Sequence, residues 1–219
     1  MSFAKSKVIP ILCVILAFLP TNIHAHQKQI AFTFDDGPHY KYTAEILDIL
    51  NKYNVKATFF TVGSNIERFP EIAEREHREG HQVANHTFSH RHMKELDENE
   101  LTKEILKCES LIYNSDDYPK FFRPPEGVLS EENVKVIKEL GYTPVLWDID
   151  TKDWAHASVE NIVENVLKNA KDGSVVLFHD FVSGTSSTPK AIDILIPKLK
   201  EMGYRFVTVS EMKKFDLAS

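Results

Sequence analysis

The chain has 219 residues, 42% of them hydrophobic and 26% charged, with a formal net charge of −6. That is enough apolar material for one domain with a large buried core, and no internal repeat or low-complexity linker divides it. Lysine and arginine form no basic stripe, which excludes nucleic acid as the expected partner.

The N-terminal segment stands apart. Lys5 and Lys7 precede an apolar run from Val8 to Leu19, and IHA ends at Ala25. A short hydrophobic stretch closed by a small residue is the layout of a secretory signal peptide, although Ile23 makes the small-x-small match imperfect. The run is short for a membrane span. The expectation is cleavage of residues 1–25, a mature domain over 26–219 with no membrane anchor, and a secreted or periplasmic location. Cleavage removes two lysines and no acid, leaving 24 basic against 32 acidic residues, a formal charge of −8. It also removes Cys13, so Cys108 is left without an internal disulfide partner. On the helix-like LTKEILKCESLIY, Cys108 reads as a buried small hydrophobe rather than a nucleophile.

From residue 29 onward, strand-like and helix-like patterns alternate. QIAFTF is followed by TAEILDILNKYN, KATFFTV by IERFPEIAEREHREG, HQVAN by ENELTKEILKCESLIY, and KFFR by SEENVKVIKELG. TPVLWDI then precedes SVENIVENVLKNA, SVVLF precedes TPKAIDILIPKLKEMG, and YRFVTV is last. Thr43, Ser130 and Ser158 are expected N-caps, and Gly80, Gly141, Gly173 and Gly203 fall where helices should stop. Strands alternating with helices imply parallel βαβ units, and seven of them suggest an α/β fold closed, or nearly closed, into a barrel.

Function in such folds sits at the C-terminal strand ends. The strand ends here lead into Asp35-Asp36-Gly37-Pro38, His86–His90, Arg123–Gly127, Asp150–Trp154 and His179-Asp180. Asp-Asp-Gly-Pro alone is ordinary turn chemistry. His86 and His90, however, are spaced to share a metal ion across one turn or tight loop, and a carboxylate from a neighbouring strand end would complete a two-histidine, one-carboxylate site with positions open for water and substrate. One of the two aspartates fits that place. The other can be the general base that takes a proton from water acidified by the ion. Arg123 can pair with the base and keep it ionised. His179 can be the general acid, and Asp153 can hold its tautomer and favour its charged form. The constellation suits metal-assisted hydrolysis of an acyl bond.

TFDDGP, HTFSH, RPPEG, DTKDW and LFH, in this order, resemble the five motifs of the polysaccharide deacetylases, the NodB-homology domain of carbohydrate esterase family four. The similarity covers nearly the whole mature chain. It implies a distorted (β/α) barrel of about seven parallel strands that removes N-acetyl, sometimes O-acetyl, groups from sugar polymers such as peptidoglycan or chitin, with a divalent metal ion, Zn²⁺ in the leading reading. By motif position the resemblance makes Asp35 the base, Asp36, His86 and His90 the metal ligands, Arg123 the partner of the base, and His179 the acid held by Asp153. Trp154 and Leu177 would line the pocket for the acetyl methyl. One position departs from the pattern. Where the family often has an aromatic residue or glycine after RPP, this chain has Glu126; its backbone N–H could still serve the oxyanion, but its carboxylate should point outward, toward substrate.

Other candidates carry weaker cases. His39, Tyr40 and Tyr42 follow the first motif and could stack on a sugar ring. His77, His81, His92 and His156 read as surface or structural histidines, the Asn85-His86-Thr87 sequon as a chance match, and EIAEREHRE as the solvated face of a helix. Two competing functions remain at this level, a hydrolase of linear amides in small molecules and a catalytically silent glycan-binding protein.

Overall fold

The structure is a computed structural model that describes residues 27–112 and 119–215; the expected signal peptide lies outside the described residues. The chain runs β1 (Lys28–Asp35), α1 (Tyr42–Lys52), β2 (Thr58–Thr61), α2 (Gly63–Arg68), α3 (Pro70–Arg78), β3 (Gln82–Asn85), α4 (Glu98–Glu109), β4 (Phe121–Phe122) and α5 (Glu131–Glu139). It continues with β5 (Thr143–Pro144), β6 (Ile149–Asp150), α6 (Val159–Asn169), β7 (Ser174–His179), α7 (Thr188–Glu201) and β8 (Tyr204–Phe206). Short 3-10 turns fill several of the loops, including Pro125–Gly127 and Asp153–Ala155.

Every strand pairing is parallel, in the order β5-β4-β3-β2-β1-β7-β6, with β8 joining β1. The segment TPVLWDI supplies two strands rather than one. Val145 N–H donates to Phe122 O at 2.8 Å, and only three residues later Asp148 N–H donates to Val175 O at 2.9 Å. This one stretch leaves β4 and joins β7, bending at Leu146-Trp147, and so links the two ends of the sheet into a distorted (β/α) barrel. Eight short strands therefore stand where seven segments were expected.

Strand alternation builds the core on both sides of the sheet. Phe32, Phe34, Phe59, Val176 and Phe178 face outward and pack with Ile46, Leu50, Ile162, Ile192 and Leu195 of the surrounding helices. Phe34 stacks between Phe59 and Phe178, at 5.1 and 5.5 Å between centroids. The opposite rows, with Ala31, Phe60, Val175 and Val145, fill the interior. Because the period is two, the inward row of β1 ends on Asp35 and that of β7 on His179, and these two residues are in register.

Local signals set most helix ends. Ser130 accepts from Asn133 N at 3.1 Å while the Asn133 side chain accepts from Ser130 N, and Ser158 accepts from Asn161 N. Pro70 starts α3, so the expected continuous helix IERFPEIAEREHREG is divided at Phe69; proline lacks the N–H that continuation would need. Thr43 is not a cap. Helix α1 begins at Tyr42 after Lys41, which offers no side-chain cap, and the Thr43 hydroxyl is used elsewhere. Among the described residues, no helix is long and apolar enough to cross a membrane.

Candidate active site

At the end of β1, Asp36 turns to φ 77°, a left-handed conformation that aspartate tolerates better than most residues. The turn breaks the strand alternation that would send adjacent side chains to opposite faces, and both Asp35 and Asp36 line one cleft. A third carboxylate holds the turn. Asp180 is buried, accepts from Gly37 N at 2.8 Å, and accepts from the Thr43 hydroxyl at 2.7 Å. A Cβ on Gly37 would lie 2.1 Å from Asp180 Oδ2, so only glycine allows this approach. Burial pushes the Asp180 carboxyl up to about 7, the charge of Asp36 adding to it against its hydrogen bonds.

His86 and His90 follow β3 in a tight loop, not a helix. Thr87 and His90 have φ 67° and 53°, and Asn85 and Thr87 side chains accept from the Thr87 and His90 backbone N–H groups. His86 Nδ1 donates to Arg123 O at 2.7 Å, which leaves the Nε2 lone pair directed at the cleft. His86 Nε2 and His90 Nε2 lie 3.4 and 3.2 Å from Asp36 Oδ1. One ligand atom from each residue falls within 4.8 Å of the others. Asp36 Oδ1 is buried yet makes no hydrogen bond. An orphaned carboxylate oxygen between two imidazole nitrogens fits a divalent cation. Burial opposes the Asp36 charge, but His86, His90 and His179 outweigh it and hold this carboxyl well below the usual range.

Asp35 belongs to a separate pair. Arg123 is fully buried and donates from Nη1 to Asp35 Oδ1 at 2.6 Å and to Thr33 Oγ1 at 2.8 Å. Its other donors reach Val145 O and Leu146 O, in the bent closing segment, and its guanidinium lies 4.0 Å from the centre of the Phe60 ring. The fork is thereby fixed in one orientation, leaving Asp35 Oδ2 toward the cleft, 3.8 Å from His86 Nε2.

Across the cleft, His179 Nδ1 donates to Asp153 Oδ1 at 2.8 Å. Asp153 Oδ2 accepts from His179 N and from the Thr188 hydroxyl, and its Oδ1 also accepts from Trp154 N. Burial works against a charged His179, yet the bond to Asp153 and the nearby carboxylates push its pKa up to about 9. With Nδ1 engaged by Asp153, Nε2 is the ring nitrogen left for the cleft.

These groups line a cleft of about 460 Å³, together with Glu126, Trp147, Asp150, Trp154 and Leu177. Glu126, at φ 59°, directs its half-exposed carboxylate to His92 Nδ1 at 2.8 Å. A larger polar depression of about 610 Å³ lies by the N-terminal ends of β1 and β7, among Gln29, Asp148 and Lys171, and contains none of the paired groups above. Trp147, Asp150 and Asp180 carry no sequence signal of a role of their own in the site. Trp147 is brought in by the bend of TPVLWDI, and a Cβ on Gly127 would meet it at 2.7 Å. Asp150 accepts from Trp154 Nε1 at 3.3 Å, so it orients that ring. Asp180 is marked only by its position, directly after His179. Cys108 is buried, donates to Thr61 O, and is pushed by burial up to about 12, so it is no nucleophile.

A family model described as Polysaccharide deacetylase matches residues 22–145. The peptidoglycan-N-acetylglucosamine deacetylase of Bacillus cereus is 41% identical over 192 residues, covering 87% of this chain and 90% of that protein. The crystal structure of a peptidoglycan N-acetylglucosamine deacetylase in complex with an N-oxidanyl-benzamide superposes with TM-score 0.81 at 42% identity, covering 85% of this chain and 88% of that one. A family 4 acetyl xylan esterase from Clostridium thermocellum, in complex with a cobalt ion, gives TM-score 0.78 at 36% identity, covering 84% of this chain and 89% of that one. The chain belongs to the polysaccharide deacetylase family and is a hydrolase of that class.

Proposed function

We propose that this protein is an exported, Zn²⁺-dependent enzyme that removes N-acetyl groups from an amino-sugar polymer of the peptidoglycan type, releasing acetate and a free amine. The observation that carries this reading is the convergence on one cleft of three kinds of group: the Asp36–His86–His90 cluster, the Arg123-paired Asp35, and the Asp153-paired His179. The choice of peptidoglycan is supported by the 41% identical relative that bears that substrate in its name. Export is supported by the sequence of residues 1–25, whose removal leaves the domain over 26–219.

Asp36, His86 and His90 would hold the ion, which when bound would supply positive charge to acidify water and polarise the acetyl carbonyl. Asp35 takes a proton from the attacking water, and Arg123 keeps Asp35 ionised and oriented until it does. As the new carbon–oxygen bond forms, the Glu126 backbone N–H supports the oxyanion. His179 then protonates the sugar nitrogen, and the carbon–nitrogen bond breaks. Trp154 and Leu177 line the place of the acetyl methyl.

Acetate release from peptidoglycan fragments, chitooligosaccharides and a soluble small amide, compared at equal Zn²⁺ occupancy, tests the assignment. Turnover of the two glycans with little of the amide is the expected result. Turnover of the amide alone would make the protein a small-molecule amidase, and Zn²⁺ binding with no turnover of any substrate would make it a silent glycan-binding protein.

A further inference from the structure

The loops after β1 and β7 carry a cluster of rings that neither the metal ligands nor the proton-transfer groups use. The His39 ring lies 4.6 Å from Tyr40, 5.3 Å from Tyr42 and 5.2 Å from Phe181 between centroids, and Tyr40 lies 5.8 Å from Phe69. Tyr42 is the base of the cluster, 8% exposed, whereas Tyr40 is 62% and Phe181 36% exposed. The two loops are fastened together. Tyr42 Oη donates to Gly184 O at 2.5 Å, and the Thr43 hydroxyl donates to Asp180. Burial explains Tyr42 but not Tyr40, which keeps most of its surface in water. Exposed rings held in place by their neighbours offer flat contact area at little further entropic cost, the property that suits stacking on a ligand.

Two of its exposed rings, Tyr40 and Phe181, are carried by loops that leave the site at Asp36 and His179. Tyr40 follows Asp36 by four residues and Phe181 follows His179 by two, so their Cα atoms lie within about 14 Å and about 7 Å, respectively, of those of the two site residues. In the strand order β1-β7-β6, the Tyr40 loop and the Trp154 loop fall on opposite sides of the β7 end that bears His179. Trp154 is itself 54% exposed. Exposed rings therefore stand on the loops to either side of that strand end. Lys41 and Arg68 lie against Tyr42 and Phe69, at 5.0 and 5.1 Å from the ring centres, and disfavour a cationic ligand there.

We propose that Tyr40 and Phe181 form a stacking platform for a sugar ring of the glycan chain outside the deacetylation cleft, so that the enzyme favours long chains over short oligomers. This rests on the glycan-deacetylase reading above and adds to it where the chain is held. The sugar's C–H face would lie against the rings; no covalent step is involved.

The test is kcat/KM for acetate release by the Zn²⁺-loaded full chain from N-acetylglucosamine oligomers of two to six units. Native protein, Tyr40→Ala, Phe181→Ala, the double variant and Tyr40→Phe are compared. Native protein should gain kcat/KM with length. The hexamer-to-dimer ratio should fall about tenfold in the double variant, the loss of two ring contacts, and Tyr40→Phe should preserve it. An unaltered ratio in the double variant overturns the platform, whether or not the absolute rates fall, and so does a native enzyme with equal kcat/KM at every length. Native protein that releases acetate at no length would instead overturn the reading of the site, and the platform with it.

Discussion

Two neighbouring aspartates divide into different surroundings because one residue, Asp36, leaves the strand conformation. Asp35 stays on the inward row of β1 against Arg123, while Asp36 turns toward two imidazoles. Asp35→Asn should therefore keep Zn²⁺ and lose about 10²–10⁴ of kcat, since an amide cannot take the water proton. Asp36→Asn should weaken Zn²⁺ binding instead; isothermal titration beside acetate release separates the two, and equal metal loss in both would contradict the division. His179 carries a pH signature. Its pKa is raised to about 9, so the donor form is populated below that value and lost above it, and kcat/KM should have an alkaline limb. In Asp153→Asn the bond and charge that raise it are gone while burial still opposes the charged form, so that limb should move down by roughly one unit or more. A limb that stays in place would separate His179 from the acid step.

At the level of elements, the turn between β1 and α1 depends on a contact from β7. Asp180→Ala leaves Gly37 N–H and the Thr43 hydroxyl without their acceptor and should cost about 1–3 kcal/mol in denaturant unfolding. Asp180→Asn, which can still accept from Gly37, should cost less; equal losses would mean that packing, not the acceptor, is what matters. This contact also marks where the sequence stopped being legible. Ser130 and Ser158 were readable as caps because their partners lie three residues away. Thr43 looked the same, but its hydroxyl accepts from His39 N, ahead of the helix, and donates to a carboxylate 137 positions distant, beyond any local signal. TPVLWDI read as one strand because its alternation is intact, whereas its bend is set by the two sheet edges it joins. That Asp35, His86, His179 and Arg123 would meet at one end of the barrel was legible because each closes or directly follows a strand. Trp147, Asp150 and Asp180 were not, since their places depend on closure of the barrel.

Across the whole molecule, closure is what makes one site from five loops, since the chain that joins β4 to β7 also presents Val145 O and Leu146 O to the buried Arg123. The fold needs no covalent staple. Cys108 is free and buried, so Tm should be the same with and without reductant; a fall under reduction would reveal a cross-link between chains. Mass spectrometry of the exported protein should find a chain beginning after Ala25, and an intact N-terminus would make the Val8–Leu19 run an anchor. One titration tests the site most directly: Zn²⁺ is added to metal-stripped protein while acetate release from N-acetylglucosamine oligomers is followed. The predicted result is no turnover at the start and a rise that saturates at about one ion per chain, absent in Asp36→Asn at the same Zn²⁺ concentrations. Full turnover by the stripped protein, or an identical titration by Asp36→Asn, would contradict it.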